Sequence, residues 1–264
     1  MGRGPELKTR VGIVVPTLGK RPDYLQKCLR SISQAGEAYV CLVAPKDFDA
    51  RNFLDTGLVN QTVVDPGLGL PEAINHAFEQ LPRDIEFINW LGDDDLLQPG
   101  SLAKTSETLQ AEPETVLVYG SCSYVDSNGD IIWVNKSGQW ASPLLHVGPD
   151  LIPQPGALFR RAAFEQVGGL STEFNWAFDF DLLLKLKTLG KLKFVNQTLA
   201  SFRWHPESLS VGQREMSVAE AGRVRVSHLP KLLRFISYLW EYPVRKATMV
   251  AGNRVTAKAQ GKKH

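Results

Sequence analysis

Three consecutive carboxylates, Asp93-Asp94-Asp95, follow directly on the apolar run Phe87-Ile88-Asn89-Trp90-Leu91-Gly92. Left unpaired, they would repel one another, and a divalent cation with oxygen ligands is the simplest way to neutralise them. The run before them reads as a short buried strand. In open α/β sheets ligands bind at the carboxyl ends of strands, so the triplet lies where a metal-bound, phosphate-bearing molecule is expected. The same residues taken alone also fit a solvated acidic turn, or Asp95 capping the next helix. A second pair of carboxylates, Asp179 and Asp181, opens a helix through Leu182, Leu183, Leu186 and Leu189. A carboxylate there could take a proton from a hydroxyl, although the helix dipole favours its ionised form. Trp176 and Phe178 could supply the apolar surroundings that oppose the dipole.

The rest of the chain must position these groups. Val11-Gly12-Ile13-Val14-Val15 is a β-branched run expected to be a buried strand. A loop to Pro22 follows, then a helix with Asp23 as its expected N-cap. Tyr39–Val43 and Thr62–Val64 read as further strands, and Leu70-Pro71 starts a helix carrying Ala73, Ile74, Ala77 and Phe78. Strands alternating with helices at this spacing predict an α/β fold with a mostly parallel central sheet flanked by helices. After a strand at Val116–Tyr119 the pattern changes to a hairpin around Asn128-Gly129. Arg161–Val167 is a short helix ending at Gly168-Gly169. Lys193–Val195 and Leu199–Trp204 are late strands.

At 264 residues, 43% hydrophobic and 22% charged, the chain is long and apolar enough for one sizeable domain with a real core. A net charge of +2 gives no argument for a nucleic-acid partner. The three cysteines are widely spaced and form no CxxC pair, which fits buried thiols in a reducing compartment. Met1–Arg10 is polar with no apolar core, so no signal peptide is expected. No run of about 18 apolar residues predicts a membrane span. A cytoplasmic location follows, with contact at the inner face of the membrane as an added expectation from the tail described below.

Four segments, in this order, resemble the family 2 glycosyltransferases with a GT-A fold, across about Val11 to Gly212. They are Val14-Val15-Pro16-Thr17; Gly69-Leu70-Pro71-Glu72-Ala73-Ile74-Asn75 with Leu91-Gly92-Asp93-Asp94-Asp95; Pro153–Arg161 with Val167-Gly168-Gly169-Leu170; and Asp179-Phe180-Asp181-Leu182. The resemblance implies an inverting, metal-dependent transfer of a sugar from a UDP-, dTDP- or GDP-linked donor to a glycan or lipid-linked acceptor hydroxyl. It implies Mn²⁺ or Mg²⁺ on Asp94, with Asp95 and His205 in or near the metal shell. Pro16, Thr17, Leu18, Asp47, Asn75, Asp93 and Asp94 would face the nucleotide donor. Asp179 would be the base, and Asp181 a capping or orienting group. Gln154, Trp140 and Trp176 would line the acceptor side, although packing explains the tryptophans equally well, and His205 also reads as a surface residue beside Pro206. The chain departs from the family at the end of the second strand, where Val43-Ala44-Pro45 lacks the usual acid and Asp47 stands two residues on. It also has Ile74 where relatives carry Arg, and Phe178 before the base where they often carry Glu. Two other readings stay open: a catalytically inactive nucleotide- or sugar-binding relative acting in an assembly, and a Mg²⁺-dependent nucleotidyltransferase.

The expected organisation is a tail over 1–10, a catalytic domain over 11–222 and an extension over 223–264. In the extension Leu229, Leu232, Leu233, Ile236, Leu239 and Trp240 recur at helical spacing, and Glu241 is the only acid from Leu229 onward. Such a basic, amphipathic stretch fits either an in-plane helix on an anionic membrane or a helix packed on the domain.

Overall fold

The computed structural model describes residues 10–206 and 208–261. The chain opens with β1 (Val11–Pro16), α1 (Pro22–Ala35), β2 (Tyr39–Ala44), the short α2 (Arg51–Asp55), β3 (Gln61–Val64), α3 (Leu70–Gln80) and β4 (Phe87–Trp90). Next come β5 (Leu96–Leu97), α4 (Ser101–Ala111), β6 (Thr115–Val125), β7 (Ile131–Asn135) and a 3₁₀ turn at Gly138–Trp140. Then follow α5 (Ala141–Leu144), β8 (Leu158–Arg160), α6 (Arg161–Gln166), α7 (Phe178–Lys187) and β9 (Lys191–Arg203). The C-terminal part is helical: α8 (Leu209–Gly212), α9 (Arg214–His228), α10 (Lys231–Arg234) and α11 (Tyr238–Gly261).

The strands form one sheet in the order β3-β2-β1-β4-β8-β6-β9-β5, with β7 paired to β6. β1 to β4 are parallel to one another, as the alternation of strands and helices requires. The other half is mixed. β8 runs antiparallel to both β4 and β6, β7 closes a hairpin on β6, and β6 and β9 are parallel. The sheet is thus parallel where helical crossovers join its strands and antiparallel where a hairpin and loops do. Apolar cores cover both faces. Val14, Ile88 and Trp90 meet α3, α6 and α7 on one side, and Ile13, Val15 and Phe87 meet α1 and α4 on the other. Leu25, Cys28, Leu29 and Ile32, three and four residues apart, form the buried stripe of α1.

Several boundaries differ from the sequence reading. Pro22 takes the first position of α1 and Arg21 the N-cap, so Asp23 lies in the first turn instead of capping it. The two late strands are one, β9, because β6 pairs along its whole length across irregularities at Thr115/Leu117, Tyr119/Ser121 and Ser121/Cys122. α9 runs unbroken through the boundary drawn at 222/223, because Glu220, Val224 and Arg225 are buried together on that helix. The periodic stretch from Leu229 is split into α10 and α11. Residues 1–9 of the expected tail, and Lys262 and Lys263, lie outside the described residues.

Two local features set up the site. β5, directly after the acidic triplet, pairs antiparallel with β9, which brings Arg203 back beside the triplet. Gly156, leading into β8, has φ 81, and a Cβ there would lie 2.9 Å from both Leu199 Cβ and Ala200 Cβ. Only glycine satisfies both the left-handed backbone and the close approach of β9. Gly156→Ala is expected to cost about 2 kcal/mol, measurable as a lower urea midpoint with an unchanged m-value.

Candidate active site

The parallel strands end at one edge of the sheet, and the chemistry gathers there. A turn closed by Asp95 N–H donating to Gly92 O (3.0 Å) carries the three carboxylates. A Cβ on Gly92 would sit 3.0 Å from Asp94 Oδ1 and 3.2 Å from Asp95 Oδ2, so a side chain there would press on the carboxylates. All three acids are buried, and each is satisfied differently. Asp93 accepts from Thr17 Oγ1 (2.5 Å) and from Arg21 Nη2 (2.8 Å). Asp94 Oδ2 accepts from Arg21 Nη1 (2.7 Å) and lies 2.7 Å from His205 Nε2. Arg21 Nη1 is itself 3.0 Å from that ring nitrogen, so guanidinium, carboxylate and imidazole converge on one point. Asp95 Oδ1 accepts the backbone N–H of Arg203 at 2.9 Å. The Arg203 side chain donates to the carbonyls of Asp94 and Asp126 and lies over the Tyr24 ring, 4.3 Å from its centroid.

The proton affinities diverge accordingly. Burial pushes Asp93 up, against the Thr17 hydrogen bond and the Arg21 charge. Burial acts the same way on Asp94, but His205 and Arg21 outweigh it and hold that carboxyl below its ordinary range. Asp95 is pushed well up by burial and then by the Asp94 charge, with the Arg203 backbone opposing.

No group of three or more His, Cys, Asp or Glu side chains among the described residues forms a ready-made cation cage. Asp94 and His205 nevertheless bring a carboxylate oxygen and an imidazole nitrogen to one point. That donor set fits Mg²⁺ or Mn²⁺, cations that commonly take one or two protein ligands and complete their shells with phosphate oxygens and water. Arg21 now occupies the same oxygen of Asp94.

A cavity of about 210 Å³ links the end of the triplet to Asp179: Asp95 and Gln154 line it together with Asp150, Asp179 and Trp204. A second cavity of about 180 Å³ shares Asp150 and Asp179 and adds Trp176, Arg225 and Arg245. Asp179 lies in the first turn of α7 and accepts the N–H of Phe180 at 2.8 Å. Burial raises its pKa to about 6, with the nearby Glu220 charge adding to the rise and the backbone hydrogen bonds opposing it. Asp150 is pushed up too, by burial and then by the Asp179 charge.

The expected site residues separate into groups. Thr17, Asp93, Asp94, Asp95 and His205 come together, as do Gln154, Trp176 and Asp179 around the cavities. Gln154 Nε2 donates to Asn89 Oδ1 and Trp90 O (2.9 and 2.8 Å), which fixes the side chain at the end of β4. Pro16 ends β1, and Leu18 is exposed on the loop beyond it. Asn75 stands apart: its amide bonds in both directions with the backbone of Leu170, tying α3 to the loop after α6. Asp47 is exposed in the loop after β2, and Trp140, 65% exposed on the 3₁₀ turn, lines neither cavity. Asp181 pairs with Lys185 (2.6 Å) and His228 (2.7 Å), an orienting link between α7 and α9.

Sequence reasoning missed Arg21, Asp150, Arg203 and Glu220. Glu220 is 1% exposed, and its Oε2 accepts the N–H groups of Trp176 and Ala177 (2.6 and 2.9 Å) at the start of α7. It thereby holds the turn that presents Asp179. A carboxylate reaching this turn from 43 residues away along the chain leaves no local signature.

No family model matches the chain. It is 25% identical over 224 residues to the uncharacterized protein y4gI of Sinorhizobium fredii, covering 81% of this chain and 24% of that protein. It is 31% identical over 119 residues to the O-antigen biosynthesis protein RfbC of Myxococcus xanthus, covering 43% of this chain and 9% of that protein. The chain thus spans a quarter or less of the length of these relatives. Among solved structures, S. aureus TarS 1-349 superposes with a TM-score of 0.63 at 14% identity, over 90% of this chain and 71% of that one. The mannosyltransferase PcManGT from Pyrobaculum calidifontis, in complex with GDP-Man and Mn²⁺, gives a TM-score of 0.61 at 17% identity, over 98% of this chain and 81% of that one. The resemblance read from the sequence therefore has its counterpart in three dimensions: the chain has the GT-A fold of the glycosyltransferases.

Proposed function

We propose that this protein is a metal-dependent glycosyltransferase that moves a sugar from a nucleotide diphosphate to an acceptor hydroxyl with inversion. The observation that carries the reading is the 210 Å³ cavity lined at one side by Asp95, the last residue of the acidic triplet, and at the other by a carboxyl of raised pKa, Asp179. The relatives support the substrate class. PcManGT was solved with GDP-Man and Mn²⁺, TarS with UDP, and RfbC is named for O-antigen biosynthesis. A glycan or lipid-linked acceptor fits that last likeness.

In this reading Thr17 and Asp93 lie against the nucleotide side, at the ends of β1 and β4. A divalent cation held by Asp94 and His205 would supply Lewis-acid neutralisation of the departing diphosphate. Arg21 would leave the carboxylate pair as the diphosphate arrives and donate its N–H groups to phosphate oxygens instead. The acceptor hydroxyl hydrogen-bonds to Asp179. As its oxygen bonds to the anomeric carbon, the bond from that carbon to the diphosphate oxygen breaks, and the hydroxyl proton passes to Asp179. A carboxyl with a pKa near 6 is a better proton acceptor than an ordinary aspartate and is still ionised at neutral pH. Trp176 and Gln154 would line the acceptor side.

The reading has definite expected outcomes. Asp179→Asn lowers turnover about 10³-fold while leaving nucleotide binding in place, read by initial rates beside calorimetric titration with UDP and GDP. The wild-type rate rises with pH through a midpoint near 6 and then levels. The same substitution stabilises the fold at neutral pH. A carboxyl whose folded pKa is raised binds its proton more tightly in the folded state, so wild-type stability falls as pH climbs from about 4 to 6. The variant escapes that loss, by about 1–2 kcal/mol for this partly exposed group, and its advantage vanishes near pH 4 in melts recorded across the range. Finally, Arg21→Gln binds Mn²⁺ alone about tenfold more tightly than wild type, because a competing charge-assisted hydrogen bond is gone. Asp94→Asn abolishes that binding, read by the paramagnetic resonance of free Mn²⁺. Nucleotide binding without turnover on any sugar donor would favour the inactive binding relative.

A further inference from the structure

The front of the C-terminal helical segment exposes an apolar surface. Leu232 and Phe235 are 84% and 81% exposed, and Tyr238, Leu239 and Tyr242 are each more than 60% exposed. The segment is not loose. Arg225, itself buried on α9, clamps Glu241 with two hydrogen bonds of 2.6 and 2.8 Å. Arg214 reaches Asn253 and Thr256, and Trp204 Nε1 donates to Thr256 Oγ1. α11 is thus fixed to the body by one side, while its first turns and α10 project the apolar residues outward.

Charge decides what such a surface fits. Glu241 is the only acid from Leu229 onward, and Arg225 neutralises it. Lys231, Arg234, Arg245 and Lys246 are all exposed around the apolar residues. Tyr238, Tyr242, Arg245 and Lys246 follow one another at helical spacing on one side of α11, and Lys246 Nζ lies 4.7 Å from the Tyr242 ring centroid. Two copies of this surface face to face would set four cations against four. Leucine and phenylalanine, tyrosines at the margin and a ring of cations match the boundary between acyl chains and anionic headgroups.

We propose that residues 231–246 dock this protein on an anionic lipid bilayer. Leu232, Phe235 and Leu239 enter the headgroup–acyl boundary, and the four cations meet headgroup phosphates. The contact is peripheral, since no described helix is long and apolar enough to cross a membrane. It also has a bearing on the acceptor, a point that rests on the glycosyltransferase reading. α11 contributes Arg245 and Thr248 to the cavity that holds Asp179 and Trp176. Tyr242 and Arg245 are less than one helical turn apart, about 5 Å of rise. An acceptor embedded in the docked bilayer would therefore reach the candidate base without leaving the membrane surface.

Co-sedimentation of the full chain with vesicles tests this, comparing phosphatidylcholine alone with phosphatidylcholine mixed with phosphatidylglycerol. Binding is expected to the mixed vesicles, weakened by salt. Lys231→Ala and Lys246→Ala should each weaken it about fivefold, and the double variant Leu232→Ser, Phe235→Ser should lose it. An unchanged melting curve and unchanged UDP or GDP binding would show that these variants fold. Equal binding to both vesicle types, or vesicle binding that survives in the double variant, would overturn the proposal. So would absence of binding to the mixed vesicles, in which case a wild-type dimer in sedimentation velocity that the double variant lacks would assign the surface to self-association. Because vesicle binding is read without donor, its failure is distinct from failure of the glycosyltransferase reading, which nucleotide binding and turnover report.

Discussion

Three carboxylates in a row cannot be buried as three free anions, and the way this chain relieves them governs its architecture. The relief comes from distant parts of the sequence. Arg21, at the start of α1, bridges Asp93 and Asp94. His205 reaches Asp94 from beyond the end of β9, and the Arg203 backbone holds Asp95. The first helix, the middle of the sheet and its last strand therefore converge on one turn. β5 secures this by pairing two residues after the triplet with β9. In the proposed reading the guanidinium is the group that gives way, because it can exchange one anionic partner for another, while the imidazole stays beside Asp94 as a ligand.

The second carboxyl site rests on the opposite arrangement. At the triplet the positive groups pair directly with the acids; among the described residues no ion pair reaches Asp179. Asp150 and Glu220 stand nearby, and burial combined with neighbouring negative charge keeps the proton affinity of Asp179 high. The first turn of α7 would by itself favour an ionised acid. Glu220 accepts two of the N–H groups at that helix start, and its charge opposes the dipole. One fold thus keeps Asp94 a strong acid and makes Asp179 a weak one, the division that the proposed metal-holding and proton-accepting roles would require.

The C-terminal helices join these sites to the outer surface. α9 carries Glu220 to the α7 turn and Arg225 to Glu241, and α11 closes the cavity with Arg245 and Thr248. The helices read from sequence as an appendage are thus part of the wall of the candidate site. α9 cannot be separated from the body of the fold, because Glu220, Val224 and Arg225 are buried in it.

Much of this was legible in the sequence alone. The β-branched run of β1, the buried strand before the triplet, the hairpin at Asn128-Gly129 and the α7 start at Phe178 follow from local pattern, because periodicity and turn chemistry act over a few residues. The positions of Asp94 and Asp179 were legible for the same reason, as carboxylates at a strand end and at a helix start. What only the tertiary structure decided was partnership. Asn75 sits in a motif that suggests a nucleotide contact, yet its amide is spent on the Leu170 backbone. Trp140 and Trp176 look equivalent as letters, but one lies in the solvent and the other lines the cavity with Asp179. Arg21, Asp150 and Glu220 carry no local signal at all. Their roles arise from Coulomb and hydrogen-bond contacts across up to 184 positions in the chain. Such contacts exist only once the apolar runs have packed and fixed which distant groups share a low-dielectric neighbourhood.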